Sequence, residues 1–476
     1  MSNKKIESSV KKLAKQGKFF YVGGFVRDFL SGENPKDADV EVYDVSIEEL
    51  EKILKNIFGQ RKVKTIGKFF SVLHVVLDKD YSLDVSLARR DAKQGPGHRG
   101  ILVQADPKLS MIEAARRRDF TINAMSLDPV TGEIFDFFGG REDLKNKILR
   151  VVEAKTFVED PLRALRAVQF ASRFSLEIEP KTFKLIKKMV RTGALEELSI
   201  ERIREEFNKL LLKSEKPSVG LGLMKELGIL KKFFPEFLEL SSCHQEPAWH
   251  PEGDVWAHTK IAVDVAVELS RQRKFSEEER LIILLSAFCH DLGKVQTTKK
   301  IKGRIRSSGH AEIGCKLAKS FLRRFKYSGD IVKKVSTVVL EHRSPPRLLK
   351  KLTIKEIDDR RYIGEVADLL RRLGEVKLSV FLTVCEADFR GKKQAGAFEA
   401  GQKLKKTIHD YRLSNRPLLL GRDILQIWSQ LQKDRPLAGR RIGEYLKKVN
   451  EHQRLGEILN KREALEFLKK IISRVK

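Results

Sequence analysis

The sequence predicts an α+β protein: a small N-terminal head built on a mixed β-sheet, followed by a remainder that is helical throughout. Three observations carry this expectation. Between about residue 19 and residue 150, short runs with β-type patterning ("FFYVGGFV", "ADVEVYDV", "FSVLHVVLD", "SLDVSLARR") are mixed with helical stretches. Beyond residue 155 the strand pattern stops, and segments such as "DPLRALRAVQFASRF", "SIERIREEFNKLLL" and "EERLIILLSAFCHDLGK" repeat apolar residues at helical spacing. At 476 residues and 41% hydrophobic content, the chain can bury a sizeable core and has room for about three domain-sized units.

The elements follow in order. "MSNKKIESSVKKLAKQGK" reads as a basic amphipathic first helix and lacks the apolar stretch of a signal peptide. No apolar run approaches the ~20 residues needed to cross a bilayer, so the expectation is a cytoplasmic protein with no membrane partner. "SSCHQEPAWHPEGD", rich in Pro, Gly and polar residues, marks a boundary near 240, and "FRGKKQAGAFEAGQ" another near 395. The resulting division is 1–150, 151–240, 241–395 and 396–476. Internal repeats and low-complexity segments are absent from the sequence.

Charge narrows the partner. Lys and Arg number 94 against 65 Asp and Glu, a formal net charge of +29 spread along the whole chain. This favours a polyanion, with RNA or DNA ahead of an anionic membrane surface. Cys243, Cys289, Cys315 and Cys385 form no CxxC pair, so the sequence suggests neither a disulfide framework nor a thiolate zinc site, and they are expected to be small buried apolar residues.

"YVGGFVRDFL" opens the chemistry. Gly23 and Gly24 after a strand let the backbone approach a phosphate, with Arg27 available as a bidentate partner; a turn that uses glycine for steric reasons alone is the alternative. Nine residues on, Asp37 and Asp39 stand two apart in a β-type run, which puts both carboxylates on one strand face. Oxygen ligands so placed suit one or two Mg2+ ions holding a nucleoside triphosphate. Asp84, on a later strand, is the candidate third carboxylate that helps activate an attacking hydroxyl.

GGFVRD, KDADV, "RRRDFTINAMSLD" at 116–128 and "FVEDPLRALRAVQFASRF" at 157–174 resemble, in order and spacing, the class II tRNA nucleotidyltransferase and bacterial poly(A) polymerase superfamily. The resemblance implies a nucleotidyltransferase head in which Asp37 and Asp39 bind metal and Arg27 contacts the triphosphate. It gives the sugar 2′-OH to Arg118 and Asp119 and a phosphate contact to Asn123. It further implies that protein side chains in EDPLR choose the incoming base. Asp160 offers acceptors and Arg163 donors at i and i+3 on one helix face, with Arg166 three residues further on to reach the triphosphate. An intrahelical salt bridge is the alternative reading of that pair.

A second constellation follows. His258, the doublet His290–Asp291, His310, His342 and Asp388, all expected on helices, supply mixed N/O ligation for a divalent transition metal of undetermined identity. These residues resemble the HD phosphohydrolase superfamily, and HPEGDVWAHT, CHDLGK and CEADFRG are similar to stretches of the HD-bearing CCA-adding enzymes of bacteria. That resemblance implies phosphatase, 2′-nucleotidase and 2′,3′-cyclic phosphodiesterase activity; ligands kept only for structure remain the alternative. "LLLGRDILQIW" and "DRPLAGRRIGEYLKKV" resemble the family's C-terminal segments, where Arg440 and Arg441 are placed to grip an RNA backbone.

The expectation is therefore a template-independent enzyme that adds CCA to tRNA from CTP and ATP, with an oligomeric state the sequence leaves open, a homodimer among the options. A poly(A) polymerase, or an enzyme adding only CC or only A, shares the head motifs. "IGKFFSVLHV" at 66–75 is partly similar to the poly(A) polymerase stretch, although Phe69 stands where that pattern has a basic residue. A nucleotide-responsive HD hydrolase with a non-transferring head is the rival from another class.

Overall fold

The computed structural model describes residues 4–33, 35–66, 72–93, 95, 101–392, 397–411, 418–431, 437, 439–454, 457–458 and 460–473. The 67–71 stretch with Phe69 lies outside the described residues. The chain packs as two compact units, Met1–Lys232 and Phe233–Lys476.

The first unit is organised by alternation. Its strands are β1 (Lys18–Val22), β2 (Asp37–Tyr43), β3 (Val63–Ile66), β4 (Val72–Val76), β5 (Ser82–Leu87), β6 (Arg89–Lys93), β7 (Ile101–Ala105), β8 (Ser126–Leu127) and β9 (Ile134–Phe135). Seven of them form one mixed sheet in the order β3-β4-β5-β2-β1-β8-β9, while β6 and β7 pair separately. Ala38, Val40 and Val42 of β2, Leu73 and Val75 of β4, and Leu83, Val85 and Leu87 of β5 are each at most 2% exposed. They share one core with Ile6, Val10 and Leu13 of the first helix, Lys4–Ala14, and with Leu50 and Leu54 of the helix Ile47–Phe58. The other strand face carries Asp37, Asp39 and Glu41 on β2 and Ser82 and Asp84 on β5. A one-residue slip would exchange the two sets, so burying the apolar set fixes the register that displays the carboxylates.

β2 and β5 run parallel, with Asp37 opposite Ser82 and Asp39 opposite Asp84. The parallel pairing needs a long crossover, supplied by Ile47–Phe58 and the β3–β4 pair. Four longer helices complete this unit: Leu162–Phe174, Pro180–Arg191, Ile200–Lys213 and Pro217–Glu226.

Two findings correct the expectation that strands stop at residue 155. β10 (Ile148–Leu149) pairs in parallel with β11 (Glu177–Ile178), a contact too short to leave a periodic signal. In the second unit, β12 (Thr298–Ile301) and β13 (Arg304–Ser307) form a hairpin. Its turn residues Lys302 and Gly303 have φ of 49° and 79°, the left-handed pair that a tight hairpin needs. Its strands, TKKI and RIRS, are short and half basic, so hydrophobic periodicity does not reveal the hairpin.

The rest of the second unit is helical, and at its centre Phe237 stacks on Phe288 with ring centroids 3.9 Å apart and packs edge-on against Phe321. That aromatic cluster anchors the helix Glu277–Cys289, whose end delivers His290 and Asp291. A separate small core, including Ile424, Trp428, Val449 and Leu468, joins the last three helices, Gly421–Leu431, Gly439–Arg454 and Lys461–Ser473. All four cysteines are buried and free. Among the described residues no helix is long and apolar enough to cross a membrane.

Candidate functional site

The glycine pair answers to geometry. Gly23, between β1 and the helix Gly24–Leu30, has φ 67°, and a Cβ there would lie 2.8 Å from Arg118 Nη1 and 3.3 Å from Asp39 Oδ2. A side chain at this position would therefore be both strained and in collision with the polar face of the sheet. Gly24 opens the helix and turns Arg27 inward. Arg27 is 4% exposed, donates to Asp28 Oδ1 and Asn123 Oδ1 at 2.7 Å each, and lies 4.2 Å from the Phe174 ring centroid.

Asp37 accepts from Ser82 Oγ at 2.7 Å, and Asp84 Oδ1 faces His74 Nδ1 at 2.7 Å across the antiparallel β4–β5 pair. Burial, with Asp84 and Asp37 close by, pushes the Asp39 carboxyl above its usual range against the opposing pull of Arg118. Three carboxylates crowded on one face, one of them resisting ionisation, are a donor set whose repulsion a divalent cation relieves; the residues fit Mg2+. Sequence reasoning missed Glu41 and His74. Glu41 is 2% exposed and accepts from Arg117 Nη2 at 2.7 Å, Arg118 Nη2 at 3.4 Å and Tyr43 Oη at 2.8 Å. The period-2 argument that pairs Asp37 with Asp39 reaches Glu41 two residues later, so this signal was legible.

Asp119 is the junction of the cleft. Its Oδ1 accepts from the Phe120 amide at 2.8 Å and Asn123 Nδ2 at 3.0 Å, and its Oδ2 from Arg166 Nε at 2.8 Å. Asn123 in turn meets Arg27, so Arg166, Asp119, Asn123 and Arg27 form one chain of polar contacts.

The EDPLR segment differs from the expectation. Asp160 is not on the helix, because Pro161 caps the N-terminus of Leu162–Phe174 and the helix starts after it. Asp160 Oδ1 instead accepts from the Leu162 amide at 3.1 Å and pairs with Arg202 Nη2 at 3.7 Å. Arg163 donates to the carbonyls of Thr156 at 3.0 Å and Arg117 at 2.7 Å. Both residues line a cleft of about 540 Å3 together with Gly23, Arg27, Asp39, Arg118, Asp119, Asn123 and Arg166. Arg202, Lys209 and Lys213 of the helix Ile200–Lys213 line it too; their helical charge pattern is indistinguishable in sequence from a solvated face.

In the second unit the six candidate ligands converge. His258 lies within Val255–Gln272 and Asp388 within Leu378–Gly391, and His310 is the first residue of His310–Arg324. His290, Asp291 and His342 are in turns just past helix ends, a correction to the expectation that all six are helical. Gly293 permits the close approach: a Cβ there would lie 2.0 Å from the His310 carbonyl oxygen.

Three imidazoles are oriented alike. Nδ1 of His290, His310 and His342 lies 2.8, 2.7 and 2.7 Å from the carbonyl oxygens of Ala287, Ser307 and Val339. Donation at Nδ1 leaves the lone pair on Nε2. His310 Nε2 then faces His342 Nε2 at 3.4 Å, and His290 Nε2 faces Asp291 Oδ2 at 3.1 Å. Opposed lone pairs repel unless a cation lies between them. His258, His290 and Asp291 make one ligand group and Asp291, His310 and His342 another, with ligand atoms in each group within 4.8 Å of one another. Burial holds His310 and His342 below the usual histidine range. Asp291 and Asp388 stay well below the usual carboxylate range despite burial, held by His290 and Lys294 and by Lys392 and His258 respectively. His258 goes the other way: burial lowers it, but Asp388 and Glu252 outweigh burial and raise it. Imidazole nitrogens beside ionised carboxylates are the mixed N/O donor set that a divalent transition metal takes. Sequence reasoning missed Glu252, which holds His258 Nδ1 and His250 Nδ1 at 2.8 Å each. Arg440 and Arg441 lie on the surface of Gly439–Arg454.

Three segments of the chain match known family models. Residues 19–150 match the family described as "Poly A polymerase head domain", 175–240 match "Probable RNA and SrmB- binding site of polymerase A", and 255–374 match "HD domain". The chain is 34% identical over 377 residues to the multifunctional CCA protein of Actinobacillus pleuropneumoniae serotype 5b, covering 78% of this chain and 85% of that one. It is 32% identical over 417 residues to that of Xanthomonas campestris pv. campestris, covering 86% and 94%. Its fold is similar to that of the Bacillus stearothermophilus CCA-adding enzyme solved with CTP, at TM-score 0.64 and 23% identity over 98% of this chain and 97% of that one. The Thermotoga maritima CCA-adding enzyme complexed with tRNA is similar at TM-score 0.57 and 21% identity, over 95% and 91%. With the carboxylate face, the EDPLR cleft and the histidine cluster all on one chain that aligns with these relatives over most of its length, the protein belongs to the multifunctional CCA family.

Proposed function

We infer that this chain is a template-independent tRNA nucleotidyltransferase that adds C, C and A to tRNA 3′ ends from CTP and ATP. The observation that carries the reading is the single cleft in which Asp39, Arg118, Asp160 and Arg163 meet, in a chain aligned with multifunctional CCA proteins.

Asp37 and Asp39 hold Mg2+, which when bound compensates the triphosphate charge. Asp84, oriented by His74, draws the proton from the primer 3′-OH as that oxygen attacks the α-phosphorus and pyrophosphate leaves. Arg27 and Asn123 face the phosphates. The four acceptor positions of Asp119 are taken by Phe120, Asn123 and two guanidinium nitrogens of Arg166. The sugar 2′-OH therefore falls to Arg118, and Asp119 holds Arg166 and Asn123 in place. Asp160 and Arg163 read the base edge, which requires Arg163 to exchange its two carbonyl partners for the nucleotide. The acceptor stem is recognised by shape and backbone, with Arg440 and Arg441 among the phosphate contacts.

The functional division is a head over 1–150, a neck with the base-selecting motif over 151–240, an HD domain over 241–395 and a tail over 396–476, in a cytoplasmic protein. His258, His290, Asp291, His310, His342 and Asp388 hold the metal of a phosphohydrolase acting on 3′-terminal and 2′,3′-cyclic phosphates.

The test supplies Mg2+ and a tRNA transcript lacking its last three nucleotides with CTP, ATP or both. Two additions with CTP alone and one A only after them is the expected result. An open-ended A ladder identifies a poly(A) polymerase instead, and no extension refutes transfer by the head.

A further inference from the structure

A basic groove runs beside the histidine cluster and is used by nothing described so far. It has a volume of about 680 Å3, and His310 forms part of its wall. Arg306, from strand β13, lies one residue before the Ser307 carbonyl that accepts from His310. Arg343 follows His342 directly and lines the same groove. The groove therefore reaches the ligand cluster at His310.

Its charge is laid out as a line. Arg343, Arg347 and Lys350 fall at i, i+4 and i+7, on one face of the helix Ser344–Thr353 and its cap. At 1.5 Å per residue they span about 10 Å. All three, and Arg306, are exposed, and among the described residues none has an ion-pair partner at 4.0 Å or less. The acidic residues of the wall are mostly committed: Glu341 accepts from Arg372 and Ser344 at 2.7 Å each, and Glu365 pairs with Lys351 at 3.7 Å. Only Glu312 stands against the four cations. A free mononucleotide carries one phosphate at the reacting centre, which Arg306 and Arg343 suffice to meet. A line of cations leading about 10 Å away has no use for it and suits successive backbone phosphates.

We propose that Arg343, Arg347 and Lys350 form a strand-binding subsite that presents the phosphorylated 3′ end of an RNA chain, rather than a free nucleotide, to the HD centre. The proposal rests on the phosphohydrolase reading of that centre.

The test compares, in the full-length protein with its divalent metal supplied, hydrolysis of a 2′,3′-cyclic mononucleotide and of a short oligoribonucleotide ending in the same cyclic phosphate. The wild type is expected to favour the oligonucleotide in kcat/KM by roughly ten-fold or more. R347A/K350A should erase most of that preference and flatten the salt dependence of the oligonucleotide reaction by about 0.7 per lost contact. R347K/K350R should keep it. Equal use of both substrates by the wild type, or an unchanged preference in R347A/K350A, overturns the subsite. If the wild type hydrolyses neither substrate, the phosphohydrolase reading fails by itself. The subsite is then judged by photocrosslinking a 3′-phosphorylated oligoribonucleotide: label on residues 343–350 supports it, and label elsewhere only overturns it.

Discussion

Asp119 holds Arg166 through two guanidinium nitrogens on one carboxylate oxygen, at 2.8 and 2.7 Å. It thereby fastens the 116–128 motif to the helix Leu162–Phe174. Asp119 is 7% exposed and Arg166 about one-third exposed, so removing the carboxylate strands a largely buried cation. Asp119→Ala should cost about 3 kcal/mol, the low end for breaking a buried pair, and should depress nucleotide addition. Urea unfolding and addition rate check both.

The same pair has a pH signature. Burial pushes the Asp119 carboxyl up, but Arg166 and Asn123 outweigh it and leave it below the usual range. The unfolded chain, with an Asp near pKa 3.9, then binds more protons than the folded one in the window below it. Stability from Asp119 is present above about pH 4 and lost as pH falls through the lower folded value. The stability gap between wild type and Asp119→Asn should be full at pH 7 and shrink below pH 4; a gap constant from pH 7 to pH 3 would contradict it.

Gly23→Ala forces a non-glycine residue to φ 67° and brings a Cβ to 2.8 Å from Arg118. Strain of this kind costs about 1–3 kcal/mol, and Arg118 must move. Nucleotide addition should fall by more than the stability loss explains, read as kcat/KM for CTP under conditions where circular dichroism shows a folded protein.

Asp160 and Arg202 form a pair at 3.7 Å. A two-point base contact discriminates by about 1–3 kcal/mol, so Asp160→Ala should lower preference for CTP and ATP over UTP and GTP by roughly ten-fold or more. Arg202→Ala leaves the reading residues in place and removes the cation paired with Asp160. It should shift the CTP-to-ATP ratio with a smaller loss of rate, as measured by competing nucleotides on one primer.

Glu252 binds His258 Nδ1 at 2.8 Å, and its side chain is out of contact with solvent. Its carboxyl is drawn down to about 2 by His258 and His250 although burial opposes this. Glu252→Gln keeps the shape and loses the charge that orients the imidazole. Loss of such a partner costs about 10–100-fold in metal affinity, measurable by titrating metal into the full-length apoprotein, while addition of C and A with Mg2+ continues.

What could be read from sequence were local patterns that physics ties to one geometry. Alternation over "KDADVEV" places Asp37 and Asp39 on a common face because strand side chains alternate. Helical spacing over "DPLRALRAVQFASRF" predicts a helix, although the helix starts only after Pro161, its cap, and leaves Asp160 just outside it. Fold class followed the same way, from where period 2 gives way to period 3.6. The hairpin at 298–307 escaped because its two four-residue strands are half basic and carry one apolar residue each.

Contacts between distant segments were decided only by tertiary structure. Asp84 meets Asp39 through the parallel register of β2 and β5, Asp119 meets Arg166 across 47 positions, and His258 meets Asp388 across 130. Burying the apolar faces of strands and helices sets those registers, and the polar residues are carried to their partners as a consequence. The sequence by itself therefore determined which residue types are available and on which face of which element they stand. The fold decided which of those faces meet, because apolar burial is non-directional and only the packed whole selects one arrangement.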